Sequence, residues 1–443
     1  MFKSKISIIG FSALNAVLMT VFTFLWLNNS YILTDDEEYM IKTTSGLRST
    51  YFKLKEKPNP EDFLFIDIAW EKQLVNEYNE EGQIIGKRPI TNRKRIAEFL
   101  SYVNQTNKHK FIILDVFFKD SSDYASDSDL QKAFSKTKNI LIPYHMDEHG
   151  KPDMPIFNAP VALSDYDKDD IDNNFVKFKC LYGDSVRTTP LVMYEMLHGD
   201  KFTDHDIYGS FKGNLALSSF ILDLRIWNQN LNRITEKTNL SDTSETVKYE
   251  ILYLSDVLYD AINPSLLKPE SEFTEEDKAK KLMMPNILQE EIPQHIDNKI
   301  VVIGDFSDSD IHETIYGATP GPLILLNVYL ALRDGDNLFN VWFILFLLGG
   351  FYFISYNCFK GKDIFATYIK RLTKRVKKLN RASFFLNFMS YILYFILLSV
   401  LSFFLFNIHI TILLLALYME VLEKLVQYIR KKNGLVETED AVN

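Results

Sequence analysis

Between Asp305 and Thr314 the chain crowds together groups that could do chemistry. Asp305, Asp308, Asp310 and His312 fall within eight residues, with Ser307 and Ser309 between them and Thr314 just after. In an extended segment Asp308, Asp310 and His312 share one face, because side chains alternate along a strand. Carboxylate, imidazole and hydroxyl groups on one face can coordinate a cation, and Asp308, Asp310 and His312 are the candidate metal ligands. A hard ion such as calcium takes about six to eight oxygens, so Asp67 or a backbone carbonyl would have to complete the set. The alternative is a clamp. Asp310 and Thr314 would then cap the turn into Pro320-Gly321 while His312 packs on Tyr316.

The elements around this loop place it. Ile300–Ile303 is a continuous β-branched run, which suits a strand covered on both faces. Gly304 should let the chain turn sharply, and Pro320-Gly321-Pro322 should stop the loop before an apolar helix that runs to Asp334. Phe63–Ile68 (FLFIDI) and Phe111–Phe118 (FIILDVFF) read as two more buried strands, carrying Asp67 and Asp115. Gly86–Ile90 reads as a turn, Arg93–Val103 as a helix, Asp127–Phe134 as a helix capped by Asp127 or Ser128, and Asn139–Pro143 as a strand. Strand and helix alternating at this spacing argue for parallel βαβ units. The three strands at 63–68, 111–118 and 300–304 should be parallel neighbours. Their carboxyl ends would gather Asp67, Asp115, Asp305 and Asp310 with His312 and Thr314 into a candidate ligand site, since open α/β sheets bind ligands at that edge. Carboxylates so gathered need a cation, a proton or an Arg between them, and Arg93 and Arg187 are the candidate partners.

The flanks are of another kind. Ile6–Asn28 is almost wholly apolar and, at about 1.5 Å per residue, can cross a bilayer core of about 30 Å. A cleaved signal peptide would have a shorter apolar region and a small-residue cleavage site. Further apolar spans are read at 341–358, 384–406 and 408–429. Lys360–Arg381 holds nine Lys or Arg and one acid, Asp363. By the positive-inside rule this stretch is cytoplasmic, as is the N-terminus with Lys3 and Lys5. Residues 31–338 are then extracytoplasmic, 359–383 form a basic cytoplasmic loop and 430–443 a cytoplasmic tail. The loop has amphipathic helical spacing, so Lys374, Arg375, Lys377 and Lys378 are candidates for contact with anionic lipid; a merely solvated loop is the alternative. Glu420 and Glu423 lie in the inner half of the last span, where snorkelling competes with a functional role.

Several motifs together resemble the second CHASE-type family, the extracellular sensory domains of bacterial cyclases and histidine kinases. They are Gly304-Asp305, Asp310, His312, Thr314, Pro320-Gly321 and Asn327; Asp67, Gly86, Pro89 and Arg93; Asp115 with Phe117 or Phe118; Asp129; and Gly183, Asp184, Val186, Arg187 and Pro190. The family's Trp beside Pro89 is missing, and residues 229–290 form a polar insertion with no evident counterpart. The resemblance implies an α/β extracytoplasmic sensor domain with a mainly parallel sheet and four transmembrane helices, one before and three after, in a bacterial inner membrane. Such a protein would bind an unidentified small ligand or ion and act on a protein partner in the membrane or cytoplasm, since no kinase, cyclase or phosphate-loop signature is present. A structural subunit of an envelope complex and a metal-dependent hydrolase are the rival readings. No nucleophile–base pair is legible, so catalysis is not expected, and no cofactor motif is readable. Four spans with few polar centres argue against a transporter. A net charge of −9 offers nothing to nucleic acid. Cys180 and Cys358 lie in different regions, so no internal disulfide is expected.

The topology has a direct check. In a background with Cys180 and Cys358 replaced, Lys378→Cys should resist a membrane-impermeant thiol reagent in intact spheroplasts and react once they are lysed. Labelling in intact spheroplasts would refute the orientation.

Overall fold

Continuous apolar runs give the central strands, because strands buried on both faces have no polar side to show. This computed structural model describes residues 5–29, 43–44, 57–79, 81–165, 177–182, 185–205, 208–222, 224–233, 247–258, 292–307, 309–361 and 383–432. The principal strands are β1 (Phe63–Asp67), β2 (Lys72–Tyr78), β3 (Ile84–Thr91), β4 (Phe111–Leu114), β5 (Ile140–Met146), β6 (Val161–Leu163), β7 (Leu231–Arg233), β8 (Tyr249–Tyr253), β9 (Ile300–Gly304), β10 (Ile311–Thr314) and β11 (Gly317–Pro320). The longer helices are α1 (Lys5–Asn29), α2 (Arg93–Thr106), α3 (Tyr124–Lys136), α4 (Thr189–His198), α5 (Gly321–Asp334), α6 (Val341–Lys360), α7 (Ser383–Phe406) and α8 (Ile412–Lys432).

The chain divides into two units, one of Glu56–Lys201 and Ile221–Asp334, the other of Met1–Lys55, Phe202–Phe220 and Gly335–Asn443. The first is α/β. Its sheet runs β7-β8-β1-β9-β4-β5 with these neighbours parallel; β6 adds a further parallel pairing to β5, and a short strand at Pro152–Asp153 pairs antiparallel with the end of β5. The expected neighbours are therefore neighbours: β9 lies between β1 and β4, with Phe65 opposite Val302 and Ile113 opposite Val302. All residues of β1, β4 and β9 are buried. Ile96, Phe99, Leu100 and Val103 of α2 and Leu130 and Phe134 of α3 pack on the same core.

Several boundaries differ from the expectation. The strand begun at Phe111 stops at Leu114, where the Val116 N–H turns back to the Leu114 carbonyl at 2.9 Å, so Asp115 lies just beyond the strand. Gly86–Ile90 is not a turn but part of β3, which pairs antiparallel with β2. The actual turn, at 79–83, is closed by the Asn79 side chain, which accepts from the Glu81 and Gln83 N–H groups. Helix α3 starts earlier than expected, at Tyr124, because Asp123 caps it by accepting from Ser126 N–H. The polar insertion supplies β7 and β8; its residues 234–246 and 259–291 lie outside those described.

Helix α5 is almost wholly buried, and Asn327 in its middle has no exposed surface. The Asn327 amide accepts from the Arg225 and Ile226 N–H groups at 2.7 and 3.0 Å and donates to the Ile226 and Leu323 carbonyls, both at 2.9 Å. Every capacity of the amide is used, which explains a buried polar residue there.

In the second unit, short strands at 203–204, 209–211, 214–216 and 338–339 form an antiparallel sheet. Among the described residues, three helices are long and apolar enough to cross a membrane: Ile6–Asn28, Val341–Lys360 and Phe388–Phe406. Helix α8, read from sequence as a fourth span, forms, but Glu420, Glu423 and Lys424 interrupt its apolar run. Asn15 of α1 donates to Ser355 of α6 at 2.8 Å and accepts from the Tyr418 hydroxyl of α8, so one amide joins three helices. Glu420 is buried with Lys424 Nζ at 3.6 Å, and Glu423 accepts from the Tyr391 hydroxyl at 2.8 Å. The basic residues Lys374, Arg375, Lys377 and Lys378 lie outside the described residues.

Removing the central amide of the α/β unit has a calculable cost. Asn327→Ala orphans two backbone N–H groups and a carbonyl, each costing about 1–3 kcal/mol when buried and unpaired. The expected destabilisation is about 3 kcal/mol or more, read as faster amide hydrogen exchange across α5 and residues 224–227 in the purified full-length protein.

Candidate functional site

Four parallel strands deliver their carboxyl ends to one edge. Asp67 closes β1, Asp305 follows β9, Asp115 follows β4, and His145 lies in the last turn of the pleat of β5. The backbone there is fixed by the sheet itself: Ile68 N–H donates to the Gly304 carbonyl at 2.9 Å and Asp115 N–H to the Ile303 carbonyl at 2.8 Å.

Two of these carboxylates hold the loop. Asp67 accepts from the Ala69 N–H at 3.0 Å, the Phe306 N–H at 3.3 Å and the Ser307 hydroxyl. Asp305 accepts from the Ser307 and Ser309 N–H groups, both at 3.0 Å, and from the Ser309 hydroxyl at 2.7 Å, with Lys72 Nζ at 4.0 Å. Short polar side chains bonding the backbone a few residues on make this kind of tight turn.

The other acids face a cavity of about 480 Å³. Asp115, Asp310, His312, His145, Asp165 and Lys72 contribute its polar wall; Ile68, Phe117, Ile324 and Leu325 contribute apolar surface. His312 Nε2 lies 2.7 Å from Asp310 Oδ1, and His145 Nδ1 lies 2.6 Å from Asp165 Oδ1. Asp165 also accepts from the Met146 N–H at 2.7 Å, and the Phe117 ring meets the His145 ring edge-on at 4.8 Å. Asp115 has no side-chain hydrogen bond among the described residues. Burial pushes its carboxyl well above the ordinary value of 3.8, and the nearby Asp310 charge adds to the rise. A carboxylate placed like this holds a proton readily or welcomes a cationic or hydrogen-donating group.

Two glycines make the approach close enough. A Cβ on Gly304 would sit 2.3 Å from Pro322 Cγ and 3.3 Å from Asp115 Cβ, and one on Gly321 would sit 2.4 Å from Asp310 Oδ2. Gly304 does not adopt a positive φ, so it is required by the packing of α5 on β9 and not by a sharp turn.

The remaining sequence candidates fall elsewhere. Thr314 clamps the β10–β11 hairpin: its hydroxyl donates to the Gly317 carbonyl at 2.9 Å and accepts from the Tyr316 N–H at 3.1 Å. It is the Asp310 backbone carbonyl, not its side chain, that receives the Gly321 N–H, at 2.8 Å. His312 pairs with Asp310 instead of packing on Tyr316, whose ring meets Trp227 at 5.1 Å. Asp308 lies outside the described residues, and among those described no group of three or more His, Cys, Asp or Glu could hold a metal ion. Arg93 and Arg187 do not serve the edge. Arg93 is buried under the Phe118 and Phe157 rings and pairs with Asp127 and the Asp120 carbonyl, while Arg187 pairs with Glu195 at 3.0 Å. Partial burial pushes the Asp127 carboxyl up, but hydrogen bonds from Ser121, Ser122 and Arg93 outweigh it and hold it below the ordinary range. Asp129, matched to the family's helix aspartate, meets only Lys132 at 3.1 Å on an exposed face. His145, Asp165 and Lys72 were missed. Their signal is position: β5 runs three residues past Pro143, and Asp165 follows β6 by two residues.

The family model of the CHASE2 domain matches residues 19–355. The chain belongs to the CHASE2 family. CHASE2 domains are extracellular sensory domains, and this match runs from within α1 to within α6, across the whole α/β unit. No curated protein and no solved structure gives a significant match. Within this CHASE2 chain the motif residues divide into those facing the cavity (Asp115, Asp310 and His312) and those holding the fold (Asp67, Gly304, Arg93, Thr314 and Asn327).

The raised Asp115 value fixes a pH dependence. The folded state binds the Asp115 proton more tightly than the unfolded chain, so its contribution to stability is full below the ordinary value and is lost as pH rises through the raised one. Asp115→Asn has no such loss. The thermal midpoint of Asp115→Asn relative to wild type should therefore climb as pH rises above about 4. A difference that stays constant as pH rises would show an ordinary carboxylate.

Proposed function

We propose that this chain is a multi-pass inner-membrane sensor whose input is captured at the Asp115–Asp310 cavity and whose output is a change in a separate protein partner. In this reading four helices span the membrane, α8 included, and the α/β unit faces outside. The observation that carries it is Asp115, a carboxylate without a hydrogen-bond partner among the described residues, set beside Asp310 in a cavity at the carboxyl edge of a parallel sheet. Perturbed acids in a concave site are the usual mark of a binding or active site. Asp67 and Asp305, whose hydrogen bonds tie the loop down, form a rigid rim on which such a site can be built. A small molecule with a cationic or donor group toward Asp115 and Asp310, and an apolar flank toward Ile324 and Leu325, fits the lining. Capture would shift the protein between two states only by its preference for one of them.

A structural role in an envelope complex draws support from the same rim, because Asp67 and Asp305 are staples and need no ligand. Crosslinking in intact membranes separates the two. The tagged full-length chain and its Asp310→Asn variant, matched for membrane abundance, are crosslinked and purified under identical conditions. A sensor should yield the same signalling partner with altered recovery in the variant. Equal recovery of an envelope-complex protein from both chains would favour the structural role and sink the sensor.

A further inference from the structure

The same sheet edge carries a second cavity, on the other side of the β10–β11 hairpin. It encloses about 720 Å³, within the range of about 300–1,000 Å³ that holds small organic ligands. One wall comes from residues 224–232, which lead into the polar insertion, together with β8. The facing wall is the hairpin, through Tyr316 and Thr319. We propose that this cavity binds a neutral saccharide of two or three rings, at a site independent of the Asp115–Asp310 reading.

The chemistry of the lining selects the ligand class. Trp227 and Tyr316 stand edge-to-face at 5.1 Å and present aromatic surface to the cavity, with Phe306 nearby. Asn228, Gln229 and Asn232 add side-chain amides. No Asp, Glu, Lys, Arg or His belongs to the described lining, so a charged ligand would find no counter-ion among the described residues there. A purely apolar ligand would leave the amides nothing to bond. Each amide offers both a donor and an acceptor, which suits vicinal hydroxyls that also do both. The C–H faces of a pyranose complete the match by lying against aromatic surface.

The platform is also fixed in place. Asn327 Oδ1 holds the Arg225 and Ile226 N–H groups, and Asn230 Oδ1 accepts from the Trp227 N–H at 3.0 Å while its amide donates to the Val247 carbonyl at 3.2 Å. Trp227 is therefore presented by a loop bonded on both sides of it, and little ordering remains for a ligand to impose.

The test uses the full-length protein in nanodiscs, free of glycoside detergent. Maltotriose, cellotriose and triacetylchitotriose are titrated by calorimetry, with trigalacturonate and spermidine as charged comparisons. At least one neutral trisaccharide should bind. Trp227→Ala should weaken it by about tenfold or more, as should the surface pair Asn228→Ala/Gln229→Ala, which removes no buried group. Asp115→Asn, in the neighbouring cavity, should leave it unchanged. Failure of all three neutral sugars to bind, binding that ignores both the Trp227 and the Asn228/Gln229 substitutions, or tighter Trp227-dependent binding of a charged probe would overturn the assignment. Loss of saccharide binding in Asp115→Asn would place the sugar in the other cavity and overturn it equally. None of these results bears on the crosslinking test of the sensor.

Discussion

Strand β9 has to enter between β1 and β4, and everything at the carboxyl edge depends on that insertion. All five of its residues pair with β1 and four of them with β4, and all five are buried. It joins β1 and β4 from far along the chain, so its pairings are non-local and close only after long loops are ordered. Once in place, it fixes where Asp305 and the loop that follows begin. It also brings α5 onto the sheet, with Gly304 so close to Pro322 that no side chain fits between. Asp115 and Asp310 meet at the cavity because β4 and β9 are adjacent and the start of α5 packs against the end of β9.

The carboxylates at this edge differ in what surrounds them, not in their covalent chemistry. Asp67 and Asp305 accept hydrogen bonds from backbone N–H groups and serine hydroxyls. Asp115 has burial and a like charge, which oppose its charged form. The edge thus ties its loop down through Asp67 and Asp305 and leaves Asp115, on the neighbouring strand end, desolvated. The same contrast appears away from the edge, where Asp127 is surrounded by Ser121, Ser122 and Arg93 and serves only to lock α2 to α3.

How much of this could be read from sequence depended on burial. Phe63–Ile68, Phe111–Leu114 and Ile300–Ile303 were legible as parallel neighbours because two-sided burial leaves an unbroken apolar run. The Arg93 helix and α5 were legible from their periodicity. Strands β2 and β3 were not, since Leu74, Ile84 and Ile85 are exposed and Gly86 and Pro89 imitate a turn. Strand β8 was hidden inside a polar stretch. Within the site, Asp115, Asp310 and His312 could be found from their place after buried strands. Local spacing could not reveal that Arg93 would pair across helices with Asp127, because that partnership is a fact of packing. Nor could it show His145 meeting Asp165, two side chains brought together only by the pairing of β5 with β6.

The Asn15 amide, bonded to Ser355 and Tyr418, has a mechanical consequence. In an apolar surround an amide that loses its partners is left with groups that hydrocarbon cannot satisfy, and a one-residue rotation of α1 turns it by about 100° away from both. Small torsions of that helix are therefore resisted, while a larger one is tolerated only where new partners wait. The node behaves as a detent. Any displacement of α1 against α6 and α8 has to break these two bonds or exchange them for others.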